Sequence, residues 1–188
     1  MLIRDAIPSE APFLAQCILA GMHLYDFEGA LNDGQAVILK SITQCEERKD
    51  TLYSYANTRV AEVDGVAAGS LLSYPGELYK DLKEKTFREF WPDFFTQFDK
   101  DEPETGPGEY YLDSLAVLPA FRKQGIGRAL ILDGVRKGLS LGFRQVALVV
   151  DPDYPHLVRL YESLGFVPAG RRNAFGTDFL RMIYCSHS

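Results

Sequence analysis

Arg122-Lys123-Gln124-Gly125-Ile126-Gly127 sets two glycines and two cations within six residues. An apolar run ending Leu115-Ala116-Val117-Leu118-Pro119 precedes it and reads as a buried strand. A helical pattern from Arg128 to about Leu141 follows it. Strand, glycine-bearing loop and helix start together make an anion site. The first amides of a helix have no partner inside the helix, and its dipole adds roughly half a positive charge at that end. Glycines at 125 and 127 remove side chains that would hold a phosphate off those amides. Arg122, Lys123 and Arg128 add further positive charge. The guest this chemistry favours is a pyrophosphate.

Two common pyrophosphate loops fit poorly. The nucleoside-triphosphate loop needs Lys and then Ser or Thr after its last glycine, whereas Gly127 is followed by Arg128-Ala129. The dinucleotide fingerprint needs a third small residue where Leu130 stands. The spacing Arg-x-x-Gly-x-Gly resembles instead the coenzyme A loop of the GCN5-related N-acetyltransferases. Downstream, Leu160-Tyr161-Glu162-Ser163-Leu164-Gly165-Phe166 is similar to a second segment of that family, in the same order along the chain. The resemblance covers about residues 110 to 184, with looser agreement from the N-terminus to Tyr74.

The resemblance implies a single α/β acyl-CoA N-acyltransferase fold, with a mixed, mostly antiparallel twisted sheet, helices on both faces and a splayed parallel strand pair. It implies acetyl-CoA as co-substrate and a primary amine, on a small molecule or a peptide, as acceptor. By that likeness Leu115, Ala116 and Val117 offer backbone groups to the pantetheine and thioester. Arg122, Lys123, Gln124, Gly125, Ile126, Gly127 and Arg128 hold the pyrophosphate. Tyr161 matches the tyrosine that gives a proton to the departing thiolate, and a phenol of pKa about 10 is protonated at neutral pH. Tyr154 stands where many relatives have an Asn that contacts the coenzyme arm, and Leu157 where they have an Ala, so that contact differs here. Family members are often dimers, so a homodimer is compatible with the likeness. A coenzyme-binding sensor that keeps the fold without turnover is the rival reading.

The base is read from the residues themselves. Attack by an amine requires removal of a proton from its ammonium form, and a carboxylate can accept it directly or through water. Asp113 lies two residues before Leu115 in a strand where Asp runs against propensity, and is the leading candidate as base or amine anchor. Glu109, entering the same strand, and Asp26 or Glu28 in an early loop are alternatives. His23 sits in that loop, His156 at a helix start and His187 in the tail, and no metal-ligand spacing joins them. Direct transfer without an acyl-enzyme follows, since no Cys or Ser stands beside a base.

The elements that must position these residues follow from pattern. Helices are expected behind Pro8-Ser9-Glu10, over about 35–48 and over about 155–164; strands over 2–6, 59–63, 66–72, 110–117, 144–150, 166–172 and 178–184. Asp64-Gly65 signals a tight hairpin. Gly134 and Gly138 are expected to let the helix after the glycine loop lie close to the sheet. Residues 75–108 are read as a helical insertion, dense in Phe and Lys, ending in an acidic loop over 99–108. They either pack on the sheet or wall the acceptor pocket. With 188 residues, 46% apolar and 24% charged, the whole chain is expected to be one domain.

A net charge of −6 without a basic run argues against nucleic acid as partner. No run approaches the roughly 20 apolar residues that span a bilayer, and no signal peptide opens the chain, so neither membrane nor export is expected. Three scattered cysteines make neither a disulfide framework nor a metal site, which fits a reducing, cytoplasmic setting.

Overall fold

The computed structural model describes residues 1–98 and 102–185. Among these, seven strands form one sheet: β1 (Leu2–Asp5), β2 (Thr58–Val63), β3 (Val66–Pro75), β4 (Glu109–Val117), β5 (Gln145–Val150), β6 (Val167–Ala174) and β7 (Thr177–Cys185). Their order is β1-β2-β3-β4-β5-β7-β6. The α-helices are α1 (Ala11–Gly21), α2 (Asp33–Glu46), α3 (Tyr79–Phe90), α4 (Pro92–Phe98), α5 (Ile126–Ser140) and α6 (Pro155–Ser163). The sheet is mostly antiparallel, and β4 and β5 are the parallel pair. The chain groups into two compact units, Met1–Ser73 with Ser114–Gly134, and Tyr74–Asp113 with Val135–Ser188. His187 and the first part of the acidic loop, 99–101, lie outside the described residues.

In the first unit, β2 and β3 meet at Asp64-Gly65, whose φ values of 51° and 81° are the left-handed pair that a two-residue hairpin requires. The face of α1 that carries Leu14, Ala15, Ile18 and Leu19 is buried at helical spacing. Helix α2 begins two residues before the expected start. Asn32 accepts from the Gln35 amide at 2.9 Å, and the Gln35 side chain accepts from the Asn32 amide at 2.9 Å, a reciprocal cap. On α5, Ile126, Leu130 and Ile131 form the buried stripe, and Asp133 receives Arg59 Nε from β2 at 2.8 Å. Gly69 is obligatory: a Cβ there would lie 2.7 Å from the Ala116 carbonyl oxygen. Strands β3 and β4 therefore approach more closely than a side chain permits.

The second unit contains the insertion. Pro92 opens α4 and ends α3, because its ring cannot sit inside a helix. Phe87 of α3 packs with Trp91 at 5.4 Å between ring centroids, with Phe94 at 5.7 Å and with Phe175 of the β6–β7 turn at 6.3 Å. These aromatics are packing residues of the unit. The insertion's return is stapled to its departure: a Cβ on Gly76 would fall 2.2 Å from the Gly106 carbonyl oxygen. Strands β4 and β5 pair in parallel over Glu109–Tyr111 against Gln145–Ala147.

Gly138 seats the end of α5 directly on Tyr110, where a Cβ would meet that side chain at 2.8 Å. Gly138→Ala is expected to destabilise the fold by about 1–3 kcal/mol through overpacking, despite alanine's better helix propensity. Urea unfolding monitored by circular dichroism measures it; a variant as stable as wild type contradicts the close approach.

Candidate active site

The glycine loop belongs to the first unit, and the structure builds it from β4 outward. Leu118 donates its amide to the Ala68 carbonyl of β3 at 2.9 Å. Backbone groups alternate between the two edges of a strand, so Ala116 also faces β3, whereas Leu115 and Val117 direct their N–H and C=O groups to the opposite edge. Gly21, at the end of α1, lies over this point: a Cβ there would stand 3.4 Å from the Leu115 nitrogen. A short 3₁₀ turn, Pro119–Phe121, follows β4. Arg122 then folds back and donates Nε to the Val117 carbonyl at 3.1 Å, and Gln124 donates its amide to the Ala120 carbonyl at 3.3 Å.

The loop closes in left-handed backbone at Lys123 (φ 61°) and Gly125 (φ 80°). Gly125 is the residue before α5, since its carbonyl accepts the amide of Ala129 at 3.0 Å. The amides of Gly125, Ile126 and Gly127 consequently have no carbonyl one turn earlier within the helix. Ile126 is buried and anchors the first turn, while Arg122, Lys123, Gln124, Gly125 and Arg128 are exposed. Gly127 decides whether this cradle fits a phosphate. A Cβ at 127 would meet Leu115 Cδ2 at 3.7 Å and Val117 Cγ2 at 3.9 Å, ordinary contact distances. The protein's own packing does not require glycine there. Clearance for a ligand against the helix amides does, so these residues fit the diphosphate of coenzyme A.

The tyrosine of the second motif lies in the second unit, on α6. Tyr161 is half-buried, its ring edge-on to Phe166 at 5.9 Å, and Phe166 donates its amide to the Tyr161 carbonyl at 3.1 Å. Burial alone pushes its phenol up to about 12. Among the described residues no protein group hydrogen-bonds that hydroxyl, so it is a protonated donor throughout the neutral range. Tyr154 precedes α6 as its first capping residue. Its carbonyl accepts the Leu157 amide at 2.9 Å and its ring stands edge-on to His156 at 6.1 Å. Cys17 of α1 has its thiol pushed up to about 12 by burial and is no nucleophile.

The carboxylates of the second unit separate into two kinds. Glu109 is structural: it pairs with Arg181 of β7 and accepts from Thr105 Oγ1 at 2.8 Å and the Gly106 amide at 3.2 Å. Asp113 accepts from the hydroxyl of Tyr74, a fully buried residue. Near it lies Glu104, from the part of the acidic loop that the structure describes. Its carboxylate accepts from Tyr111 at 2.6 Å and Tyr79 at 3.1 Å. Burial, and then the charge of Asp113, raise Glu104 to about 7. Lys83 of α3 is buried beside them, its Nζ 5.6 Å from the centre of the Tyr79 ring and 4.8 Å from that of Phe175. Sequence reasoning missed Glu104. In Asp101-Glu102-Pro103-Glu104 it looks like one more solvated acid, and only the tyrosines at 74, 79 and 111 hinted that a polar group would need donors.

No group of three or more His, Cys, Asp or Glu suited to a metal ion occurs among the described residues. Nor is any helix there long and apolar enough to cross a membrane.

A mostly antiparallel sheet with one short parallel pair, followed by a glycine-capped helix, defines an acyltransferase-type fold. The chain belongs to the acetyltransferase (GNAT) family, whose model matches residues 35–166. It is similar to the crystal structure of an acetyltransferase, 26% identical with a TM-score of 0.73, over 100% of both chains. An N-acetyltransferase from Staphylococcus aureus Mu50 shares the fold, with a TM-score of 0.81 at 21% identity, over 97% of this chain and 100% of that one. A 59-residue segment is 48% identical to a mycothiol acetyltransferase of Nocardiopsis dassonvillei, covering 31% of this chain and 17% of that protein. The chain spans only 17% to 23% of the curated relatives it matches.

The elevated Glu104 has a measurable consequence for stability. An unfolded chain releases this proton near pH 4.5, whereas the folded one holds it to about 7. The folded state therefore binds the extra proton between those values, and this group's contribution to stability declines as pH rises through them. Urea unfolding from pH 4.5 to 8 is expected to show that decline, and Glu104→Gln to flatten it. Identical pH dependence in the two proteins contradicts the assignment.

Proposed function

We propose that this chain, acting as one domain, transfers the acetyl group of acetyl-CoA to a primary amine by direct attack in a ternary complex. The observation that carries the reading is the loop at the start of α5. Its glycine at 127 is not required by packing, and it lies beside the strand whose outward groups at Leu115 and Val117 face away from β3. The family model over residues 35–166 supports the same chemistry.

The diphosphate docks on the amides of Gly125, Ile126 and Gly127, with Arg122, Lys123, Gln124 and Arg128 around it. The pantetheine arm pairs along β4 at Leu115 and Val117, while Ala116 keeps its backbone turned toward β3, and Tyr154 contacts the arm. The Leu115 amide, aimed along that edge, stabilises the oxyanion by about 3 kcal/mol, as such donors do elsewhere. Tyr161 supplies the proton to the departing thiolate, and Asp113 anchors the acceptor's ammonium. Cysteines 17, 45 and 185, which form no disulfide among the described residues, suit a reducing cytoplasm. The matched mycothiol acetyltransferases share too little of their length to pass on their acceptor, so the acceptor is defined here as a primary amine.

Two variants test the reading. Gly127→Ala is expected to keep or slightly raise the melting temperature while weakening coenzyme A binding at least tenfold, measured by calorimetry. Unchanged affinity contradicts the diphosphate cradle. Tyr161→Phe is expected to lower kcat roughly a hundredfold, leaving KM for acetyl-CoA near wild type. With the phenol at about 12, activity should show no loss from Tyr161 up to pH 10. Tight acetyl-CoA binding without turnover on a broad amine panel would favour a coenzyme sensor instead.

A further inference from the structure

The reaction needs a proton acceptor for the amine, and the second unit holds one that the family motifs do not include. We infer that Glu104, delivered by the insertion between β3 and β4, takes the proton from the acceptor's ammonium, with Asp113 beside it. This rests on the acetyltransferase reading above.

The geometry comes first. Tyr111 and Asp113 are two residues apart on β4 and share one of its faces. Glu104 lies close enough to Asp113, the anchor proposed above for the acceptor's ammonium, for the charge of Asp113 to raise its basicity. Glu104 is held at that face by phenolic hydrogen bonds from Tyr111 at 2.6 Å and Tyr79 at 3.1 Å. The loop that bears it is itself fastened. Glu109, ion-paired with Arg181, accepts from Thr105 Oγ1 at 2.8 Å and the Gly106 amide at 3.2 Å, and Gly76 leaves no room for a side chain beneath Gly106. Such a group is positioned rather than solvated.

The groups facing Glu104 explain why it, rather than its neighbours, suits the task. Asp113 brings like charge from β4 and Lys83 opposing charge from α3; Tyr79 and Tyr111 donate hydrogen bonds that lower the Glu104 pKa, and burial, then Asp113, oppose the ionisation of Tyr74. Burial and Asp113 together leave Glu104 basic near neutrality, at about 7. A general base works best with a pKa near the operating pH. Glu109 is committed to Arg181 and to its own loop. Asp113 receives the Tyr74 hydroxyl, which suits an anchor, and its charge raises its neighbour's basicity.

The protons balance. The Glu104 carboxylate removes one proton from R–NH3+, and the freed lone pair forms the C–N bond at the thioester carbon. Collapse of the tetrahedral adduct breaks the C–S bond, with its electron pair passing to sulfur. Tyr161 protonates that thiolate, and the second nitrogen proton restores the phenol through water. Glu104 returns its proton to solvent, leaving amide, thiol and one proton released.

The experiment pairs a titration with a rate profile. Carboxyl-13C glutamate labelling, with Glu104→Gln to identify the resonance, reads the Glu104 pKa by NMR; kcat/KM against pH is measured with an amine accepted from the panel, chosen among spermidine, glucosamine and an alanyl peptide. The expected result is a Glu104 resonance titrating near 7 and a wild-type acid limb near the same value. Glu104→Gln should lower kcat about a hundredfold and abolish that limb while binding acetyl-CoA normally. Asp113→Asn should shift the limb to lower pH, a change that a purely structural role for Glu104 would not produce. A limb unchanged in Glu104→Gln, or a Glu104 resonance titrating near 4.5, overturns the inference. Acetyl-CoA binding with no amine acetylated overturns the enzyme reading and this role together; the resonance then separates that failure from a wrong assignment of Glu104.

Discussion

A β-strand carries hydrogen-bonding groups along both edges, and β4 has to satisfy each of them. Toward β3 the solution is severe: Gly69 has no side chain because the Ala116 carbonyl would lie 2.7 Å from its Cβ. Toward β5 the parallel register covers Glu109–Tyr111, whereas β4 itself runs on to Val117. Polar backbone left without a partner away from water costs free energy; Arg122 Nε meets the Val117 carbonyl at 3.1 Å, and the other outward groups at Leu115 and Val117 lie beyond the register with β5. In the proposed complex an amide-rich pantetheine arm pairs with that edge like an added strand. The same strand leads through a short turn into the loop at α5, so one constraint organises both the arm and the diphosphate.

The segment between β3 and β4 carries α3, α4 and the acidic loop. Its aromatic face packs within its unit, and its acidic end returns to β4 under tight control. Gly76 and Gly106 close the base of the loop, Glu109 and Arg181 secure it, and three phenols surround the carboxylates they serve. A buried carboxylate pair is costly unless its members are hydrogen-bonded, and here Tyr74 donates to Asp113 while Tyr79 and Tyr111 donate to Glu104.

Much of this was legible in the residues. The Asp64-Gly65 hairpin, the strand–glycine loop–helix unit and Gly138 on the helix face depend on local backbone chemistry, which composition and spacing report directly. Helix α2 starts earlier than its apolar pattern suggested because the reciprocal Asn32–Gln35 cap extends it. Helix α5 likewise begins at Ile126 rather than Arg128, which makes Gly125 its cap. Glu104 was beyond reach for a different reason. Its basicity arises from burial and then from the charge of Asp113, against the lowering effect of the hydrogen bonds from Tyr111 and Tyr79, and no local pattern encodes such a meeting. Glu109 was readable as a candidate base until Arg181 of β7 was found beside it.

The central claim is that the outward edge of β4 and the first amides of α5 receive coenzyme A. Backbone amide spectra of 15N-labelled protein, recorded during titration with coenzyme A, test it most directly. The account predicts saturable shifts and slowed hydrogen exchange at Leu115, Val117, Gly125, Ile126 and Gly127, with Ala116 already protected in the free protein. Saturable binding that leaves those five amides unmoved would contradict it.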